Sequence, residues 1–216
     1  MQETVNDVQS TVEIFNQYAL NPEKLPVRID EMLRYVGYVK SAITKEDEEM
    51  AGAVIEETFS HVSPKIVYSR FSVDVKENGD ITMPYGDIHS EKLAINLLGC
   101  KEIIIFAGTL GAEFDRFLKR AYLSKMSKAA LLQGCGAAMV EALCDEFVDF
   151  LNNQLKKENK KLRPRFSPGF GDYPLENQKG IFSVLRPEKH IGLTLMNTLI
   201  MAPEKSVTAV IGIEDI

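Results

Sequence analysis

The segment RPRFSPGFGDYPLENQKG, from Arg163 to Gly180, has the composition of a loop that holds something. Its prolines and glycines lie close to two phenylalanines, a tyrosine and several basic side chains. A loop that only turned the chain would not need this combination of rigid, flexible, aromatic and charged residues. The segment is therefore the first candidate for a binding site.

Glu141 is a second candidate, in the stretch AAMVEALCDEF of a long predicted helix. On that helix it shares a side with Ala137, Ala138 and Cys144, next to the main apolar stripe. Small neighbours would leave a shallow groove in which a carboxylate can meet a ligand ammonium. The alternative is an acid on a solvated helix surface, and position alone favours neither interpretation.

Two other motifs are incomplete as cofactor-binding sequences. Gly108 and Gly111 follow an apolar stretch in IIIFAGTLGAEF, but a dinucleotide loop needs G-x-G-x-x-G and a P-loop needs a lysine. The sequence favours a structural turn there, with a loop that lines a site as the alternative. Asp87 and His89 form a D-x-H pattern, which some corrinoid carriers extend to D-x-H-x-x-G, but Lys92 stands at the glycine position.

The remaining residues suggest no catalytic or metal-binding group. His61, His89 and His190 are scattered along the chain, which argues against a histidine metal site. No serine, histidine and acid can be grouped into a triad. Cys135 lies in GCGAA, where a small packing residue is favoured over a nucleophile. The sequence therefore predicts neither catalytic residues nor a metal site.

Composition and charge place the chain among ordinary globular proteins. Its 216 residues are 45% hydrophobic and 26% charged, with a net charge of −6, which argues against nucleic-acid binding. The basic stretch KKENKKLRPR is interpreted as a solvated helix end, with a docking patch for an acidic partner as the alternative. We find no apolar run that predicts a membrane span. The acidic N-terminus and three cysteines without disulfide or zinc spacing predict a cytoplasmic protein.

The pattern of elements predicts an α+β fold: a mixed or antiparallel sheet with flanking helices, one of them long. A change to alternating apolar residues around Asn78–Gly79 predicts a hairpin. Ser90 and Thr44 stand at predicted helix starts. The predicted helices cover 10–20, 26–40, 44–62, 91–98, 112–123, 127–157 and 174–185, and the predicted strands cover 65–75, 81–83, 101–109, 190–201 and 205–213.

The stretch RFSPGFGDYPLENQKGIFSVLRPEKHIGLTL resembles the C-terminal activation domain of cobalamin-dependent methionine synthase. That family carries R-x-x-x-G-Y, then proline, a helix and a KHxGhxL strand; here the motif starts at Arg165 and is followed by YPLENQK and EKHIGLTL. MAPEKSVTAVIGI is similar to the family's next strand. The resemblance implies a single domain over 1–216, with a helical N-terminal part over about 1–62 and an S-adenosylmethionine-binding part over about 127–213.

The resemblance also implies residue roles. Arg165 corresponds to the family arginine that holds the carboxylate of S-adenosylmethionine, which suits a planar guanidinium. Glu141 corresponds to the glutamate that takes the ligand ammonium. The backbone of Ser167 would meet the adenine, while Pro168 and Gly169 would shape the loop so that the backbone can approach the ligand.

Three departures from the family pattern stand out. Phe170 replaces the motif tyrosine, so the ring remains and the hydroxyl is lost. Gly171-Asp172-Tyr173-Pro174 replaces ACP, and Tyr173 is expected to supply a neighbouring ring. The chain also lacks an obvious match for the fused domain's N-terminal ligand acid.

The activity implied by the resemblance is reactivation of a corrinoid methyltransferase, most naturally methionine synthase. S-adenosylmethionine would methylate cobalamin held by the partner, with flavodoxin or ferredoxin as the electron donor and no catalytic side chain on this chain. One alternative is a conventional S-adenosylmethionine-dependent methyltransferase, for which AGTLG is a poor ligand loop. Another is a non-catalytic adaptor that has lost ligand binding.

Overall fold

The computed structural model describes residues 15–216, and the part it describes is built on a five-stranded antiparallel sheet. Along the sheet the strands run in the order β1 (Asn16–Ala19), β2 (Lys65–Ser72), β6 (Glu102–Thr109), β10 (Ser206–Asp215) and β7 (Lys160–Leu162). Strand β6 pairs along its full length with β2 on one side and with β10 on the other. This confirms the predicted α+β class with an antiparallel sheet.

Alternation along the strands produces two hydrophobic cores, one on each face of the sheet. In β6, Ile104 and Phe106 point to one core, while Ile103, Ile105 and Ala107 point to the other. We call the first side the helix face. It is covered by α1 (Ile29–Tyr35), α2 (Lys45–Phe59), α4 (Ala112–Ser124) and α5 (Met126–Leu155).

The 30-residue helix α5 is the main support of the helix face. A β-carbon added at Gly134 would lie 2.7 Å from the backbone oxygen of Met32 on α1, and one at Gly136 would lie 2.5 Å from the Phe114 ring. These glycines therefore let α1 and α4 approach α5 closely. The predicted helix start at Thr44 is also confirmed, because its side chain and that of Asp47 form a capping box on α2.

The opposite side, which we call the loop face, carries short elements and long connections. They are β3 (Asp74–Val75), β4 (Asp80–Met83), β5 (Gly86–His89), α3 (Glu91–Leu97), α6 (Asn177–Leu185), α7 (Pro187–His190), β8 (Thr194–Leu195) and β9 (Met201–Ala202). The predicted hairpin is present, since β3 and β4 pair across the Asn78–Gly79 turn. The Ser90 hydroxyl accepts from the Leu93 backbone N–H and caps α3, as expected.

Two predicted elements are wrong. Within the predicted helix over 10–20, residues 10–14 lie outside the described part, and Asn16–Ala19 form β1. Phe15 packs on the loop-face core and Tyr18 on the helix-face core, so this segment serves both faces, as an edge strand can. The predicted strand over 190–201 is instead the end of α7, the short strand β8 and a turn in which Leu199 has φ +64°.

Candidate functional site

The structure brings Arg165 and Glu141 into direct contact. Arg165 lies in an extended segment after β7, and the next residue, Phe166, exchanges backbone hydrogen bonds of 2.8 and 2.9 Å with Val210 on β10. Successive residues of extended chain point to opposite sides. Phe166 therefore enters the loop-face core, while the Arg165 guanidinium reaches across the sheet edge to the carboxylate of Glu141 on α5.

A second carboxylate on α5 contacts the same guanidinium. Asp145 lies one helical turn after Glu141, and its Oδ1 is 3.4 Å from Nη2 of Arg165. Partial desolvation raises the pKa of Asp145; Arg165 opposes this rise, whereas the nearby Glu141, Glu31 and Asp149 add to it. Three carboxylates therefore act on Asp145 alongside the arginine.

Helix α1 borders this cluster of charges. Glu31 on α1 forms an ion pair with Arg34 at 3.1 Å, and the Arg34 guanidinium lies 4.8 Å from the centre of the Tyr35 ring. Burial raises the pKa of Tyr35, and the charges of Glu141 and Glu31 raise it further. The site is therefore assembled from α1, α5 and the segment that follows β7.

The loop after Arg165 turns sharply and leaves one aromatic ring on the surface. Gly169 has φ +90°, which an L side chain rarely adopts, and its N–H donates to the carbonyl of Tyr173 at 2.8 Å. The N–H of Phe170 donates to the carbonyl of Ser167 at 3.1 Å. The Phe170 ring is 66% exposed and meets Phe166 edge to face, with centroids 5.2 Å apart. Pro168 is buried, and Ser167 is half-buried.

Asp172 ties the end of the loop to the start of α3. Its carboxylate accepts hydrogen bonds from the Ser90 hydroxyl at 2.5 Å and from the backbone N–H of Glu91 at 2.8 Å and of Lys92 at 3.3 Å. The Ser90 hydroxyl, with these N–H groups, holds the pKa of Asp172 below its usual range. The helix dipole favours an anion at the same place.

Tyr173 belongs to the same loop, and its side chain is buried. Only 1% of it is exposed, and its hydroxyl is 2.5 Å from that of Tyr85. Burial raises the pKa of both phenols, that of Tyr85 to about 12. The Tyr173 ring packs with its centroid 6.3 Å from that of Phe166. In this position it supports the loop from below, and its predicted role as a ring beside the ligand stays a prediction.

The other motifs lie apart from this cluster. Gly111, at φ +89°, begins α4, and its N–H donates to the Thr109 hydroxyl at 3.1 Å, as in a structural turn. His89 pairs with Asp80 at 2.9 Å on the surface. Cys135 is fully buried, and burial raises the pKa of its thiol to about 11, which fits a packing residue.

Within residues 15–216, no three histidine, cysteine, aspartate or glutamate side chains lie together in a way that could hold a metal ion. In the same residues, no helix combines the length and the apolar character that crossing a bilayer requires.

Comparisons by sequence give no match, either to a protein-family model or to a curated protein. A comparison of structures finds the MetH reactivation domain bound to AdoHcy, with a TM-score of 0.70 over 93% of this chain and 78% of that chain. This chain has the fold of the MetH reactivation domain. Sequence identity to that domain is 16%, and the fold expected from the motif resemblance is confirmed.

One cavity in this reactivation-domain fold lies away from the charged cluster. It encloses about 520 Å³ between α1, α2 and the start of α5, and residues such as Val36, Met50 and Leu131 line it. None of the seven predicted ligand residues lines it. We place the candidate site at Arg165 because Glu141 and Asp145 converge on its guanidinium beside the Gly169 turn.

Three residues of the site were missed from the sequence. Asp145 could have been found, because its spacing of four residues from Glu141 puts both on one helix face. Asp172 and Tyr85 gave no such signal, since their partners are 80 or more residues away along the chain. Only the folded chain brings those groups together.

Proposed function

We propose that this chain binds S-adenosylmethionine and acts as a reactivation component for a cobalamin-dependent methionine synthase or a related corrinoid methyltransferase. The observation that carries the proposal is the contact between Arg165 and Glu141 beside the Gly169 turn. The fold similarity to a domain whose structure is described as bound to AdoHcy supports the same ligand class.

A paired cation and anion suit the amino-acid end of this ligand. The ligand carries an ammonium and a carboxylate on the same carbon, so Arg165 takes the carboxylate and Glu141 takes the ammonium. The two side chains are about one-quarter and one-third exposed, which leaves them accessible while water is partly excluded. Partial exclusion of water strengthens both contacts.

The loop can contact the adenine end of the ligand through backbone polar groups and through an exposed aromatic ring. Ser167 contributes backbone groups, the Pro168–Gly169 turn allows close approach, and the exposed Phe170 ring offers a face for stacking. Phe170 provides no hydroxyl, so recognition of the adenosine depends more on the backbone. Tyr173 fixes the loop from below.

The proposed reaction requires only binding and orientation from this chain. S-adenosylmethionine supplies an activated methyl on its sulfonium, and cobalamin on the partner accepts it after one-electron reduction by flavodoxin or ferredoxin. The carbon–sulfur bond breaks, the methyl passes to cobalt, and S-adenosylhomocysteine is left. No proton moves, so no general base is needed, and Arg165 and Glu141 contribute by holding the methyl donor in place.

The test mixes the protein with a corrinoid methyltransferase in the cob(II)alamin form, a reducing system and S-adenosylmethionine. Absorbance of the corrinoid bands is followed with and without this chain. We expect methylcobalamin to form only when the chain is present. Equal formation in both samples, across methionine synthase and other corrinoid methyltransferases, would contradict the proposal. Ligand binding without such an effect would point to a conventional methyltransferase.

A further inference from the structure

Asp145 is the second carboxylate on Arg165, and it is not needed to match the amino-acid group of a ligand. Arg165 and Glu141 already provide one cation and one anion for one carboxylate and one ammonium. Asp145 lies 3.4 Å from the same Nη2 and adds a further negative charge. Its side chain is 71% exposed, so the fold does not need it for packing.

The charges around Asp145 sum to a negative value. Among the described residues, Arg165, Glu141, Glu31 and Asp149 act on Asp145, and Arg34 pairs with Glu31; this set has two cations and, with Asp145 itself, four anions. The two guanidiniums balance two of the four carboxylates, so a net charge of about −2 remains near the Arg165–Glu141 pair at neutral pH. A bound molecule with net positive charge would offset part of it.

S-adenosylmethionine and S-adenosylhomocysteine differ in net charge, and a negatively charged site would attract them to different degrees. The amino-acid and adenosine parts are the same, but the sulfonium makes the first ligand +1, and its demethylated product is neutral. The sulfur lies three bonds from the α-carbon that Arg165 and Glu141 would hold. This separation is well within the screening length of about 8 Å at physiological ionic strength.

From these charges we infer that Asp145 is a specificity-determining residue, which makes the site prefer the sulfonium ligand to its neutral thioether product. The inference rests on the proposed function. It adds a physical reason for turnover: once the methyl has left, the ligand loses its positive charge and its attraction to Asp145. Product release is then favoured without any movement of the loop.

The experiment measures the affinities of S-adenosylmethionine and S-adenosylhomocysteine by calorimetry for the wild type and for Asp145→Asn. The substitution keeps the size of the side chain and removes its charge. We expect the ratio of the two affinities to fall by about threefold, mainly through weaker S-adenosylmethionine binding. The loss should shrink at high salt, because the interaction is screened.

Asp149→Asn is the matched control, since it removes the same charge one turn further along the exposed side of α5. It should change the ratio less than Asp145→Asn does. Retained S-adenosylhomocysteine binding shows that Asp145→Asn is folded. An unchanged ratio in Asp145→Asn, or an equal change in both variants, overturns this inference alone. If neither ligand binds the wild type, the proposed function fails and the inference fails with it.

Discussion

The two halves of the candidate site lie on different faces of the sheet and are held in different ways. On the helix face, Glu141 and Asp145 occupy regular positions on α5, whose 30 residues fix their spacing. On the loop face, the turn at Gly169 has no regular structure and is held by the contacts of Asp172 and Tyr173. The helix half therefore depends on local geometry, while the loop half depends on distant partners.

This comparison suggests a division of roles. The helix half presents charges and should control how strongly the amino-acid end binds. The loop half presents backbone and a ring, so its geometry should be sensitive to residues that never touch the ligand. Variants in the helix half should lose ligand affinity while the fold stays intact. Variants in the loop half should lose local stability.

Arg165→Ala should have the largest effect, a loss of S-adenosylmethionine affinity of about ten- to a hundredfold. A charged hydrogen bond lost from a site of this kind costs about 1.5–3 kcal/mol. Calorimetry measures the affinity. Arg163→Ala is the control, because Arg163 pairs instead with Glu214 at 2.5 Å. Undiminished binding by Arg165→Ala would remove this residue from the site.

Tyr85→Phe should weaken the loop half, because the buried Tyr173 hydroxyl loses its partner. The expected cost is about 1–3 kcal/mol in the free energy of unfolding, measured with urea. The double variant Tyr85→Phe/Tyr173→Phe should cost less than the sum of the single changes. Hydrogen exchange should rise over residues 167–173 and stay unchanged in α5. Equal loosening of both regions would argue against two independently held halves.

Glu141→Gln should lower S-adenosylmethionine affinity by about three- to tenfold and leave the unfolding free energy nearly unchanged. The amide keeps an acceptor for the ligand ammonium but loses the charge. In the partner assay, a saturating ligand concentration should recover most of the methylation rate, since no proton transfer is assigned to Glu141. A rate that stays low at saturation would show that Glu141 does more than bind.

Asp172→Asn should have the smallest effect, a change in stability that depends on pH. Its folded pKa lies below the unfolded value of about 3.9, so its contribution to stability is present above that pH and is lost as pH falls through the folded pKa. The urea midpoints of the wild type and Asp172→Asn should differ at pH 7 and converge below about pH 4. Glu176→Gln, an exposed acid in the same segment, should show no such convergence. A difference in midpoint that stayed constant with pH would show that the charge of the Asp172 carboxylate is not its cause.

The same contrast explains what could be read from the sequence. The long helix, the capping box at Thr44 and the hairpin at Asn78–Gly79 follow from local patterns, and the structure has all three. The helix predicted over 10–20 is wrong where it is described, because pairing with β2 decides the conformation of Asn16–Ala19.

The same distinction between local patterns and long-range contacts applies to the candidate site. The contact between Arg165 and Glu141 fits roles that came from motif resemblance, which no local pattern supplies. The support that Tyr85 gives to Tyr173 crosses 88 positions of the chain, and no periodicity reports a contact of that kind. The resemblance therefore supplied candidate residues whose binding roles stay predictions, and it gave no information on the contacts that hold them.

The bridge between Phe166 and Val210 has a consequence for how the protein is made. During synthesis the ribosome releases the segment with Arg165 about forty residues before the strand that anchors it. Until β10 emerges and inserts between β6 and β7, the nascent chain has no fixed edge on which to place the guanidinium. Nascent chains stalled before residue 206 should therefore fail to retain the ligand, although the long helix has already left the exit tunnel.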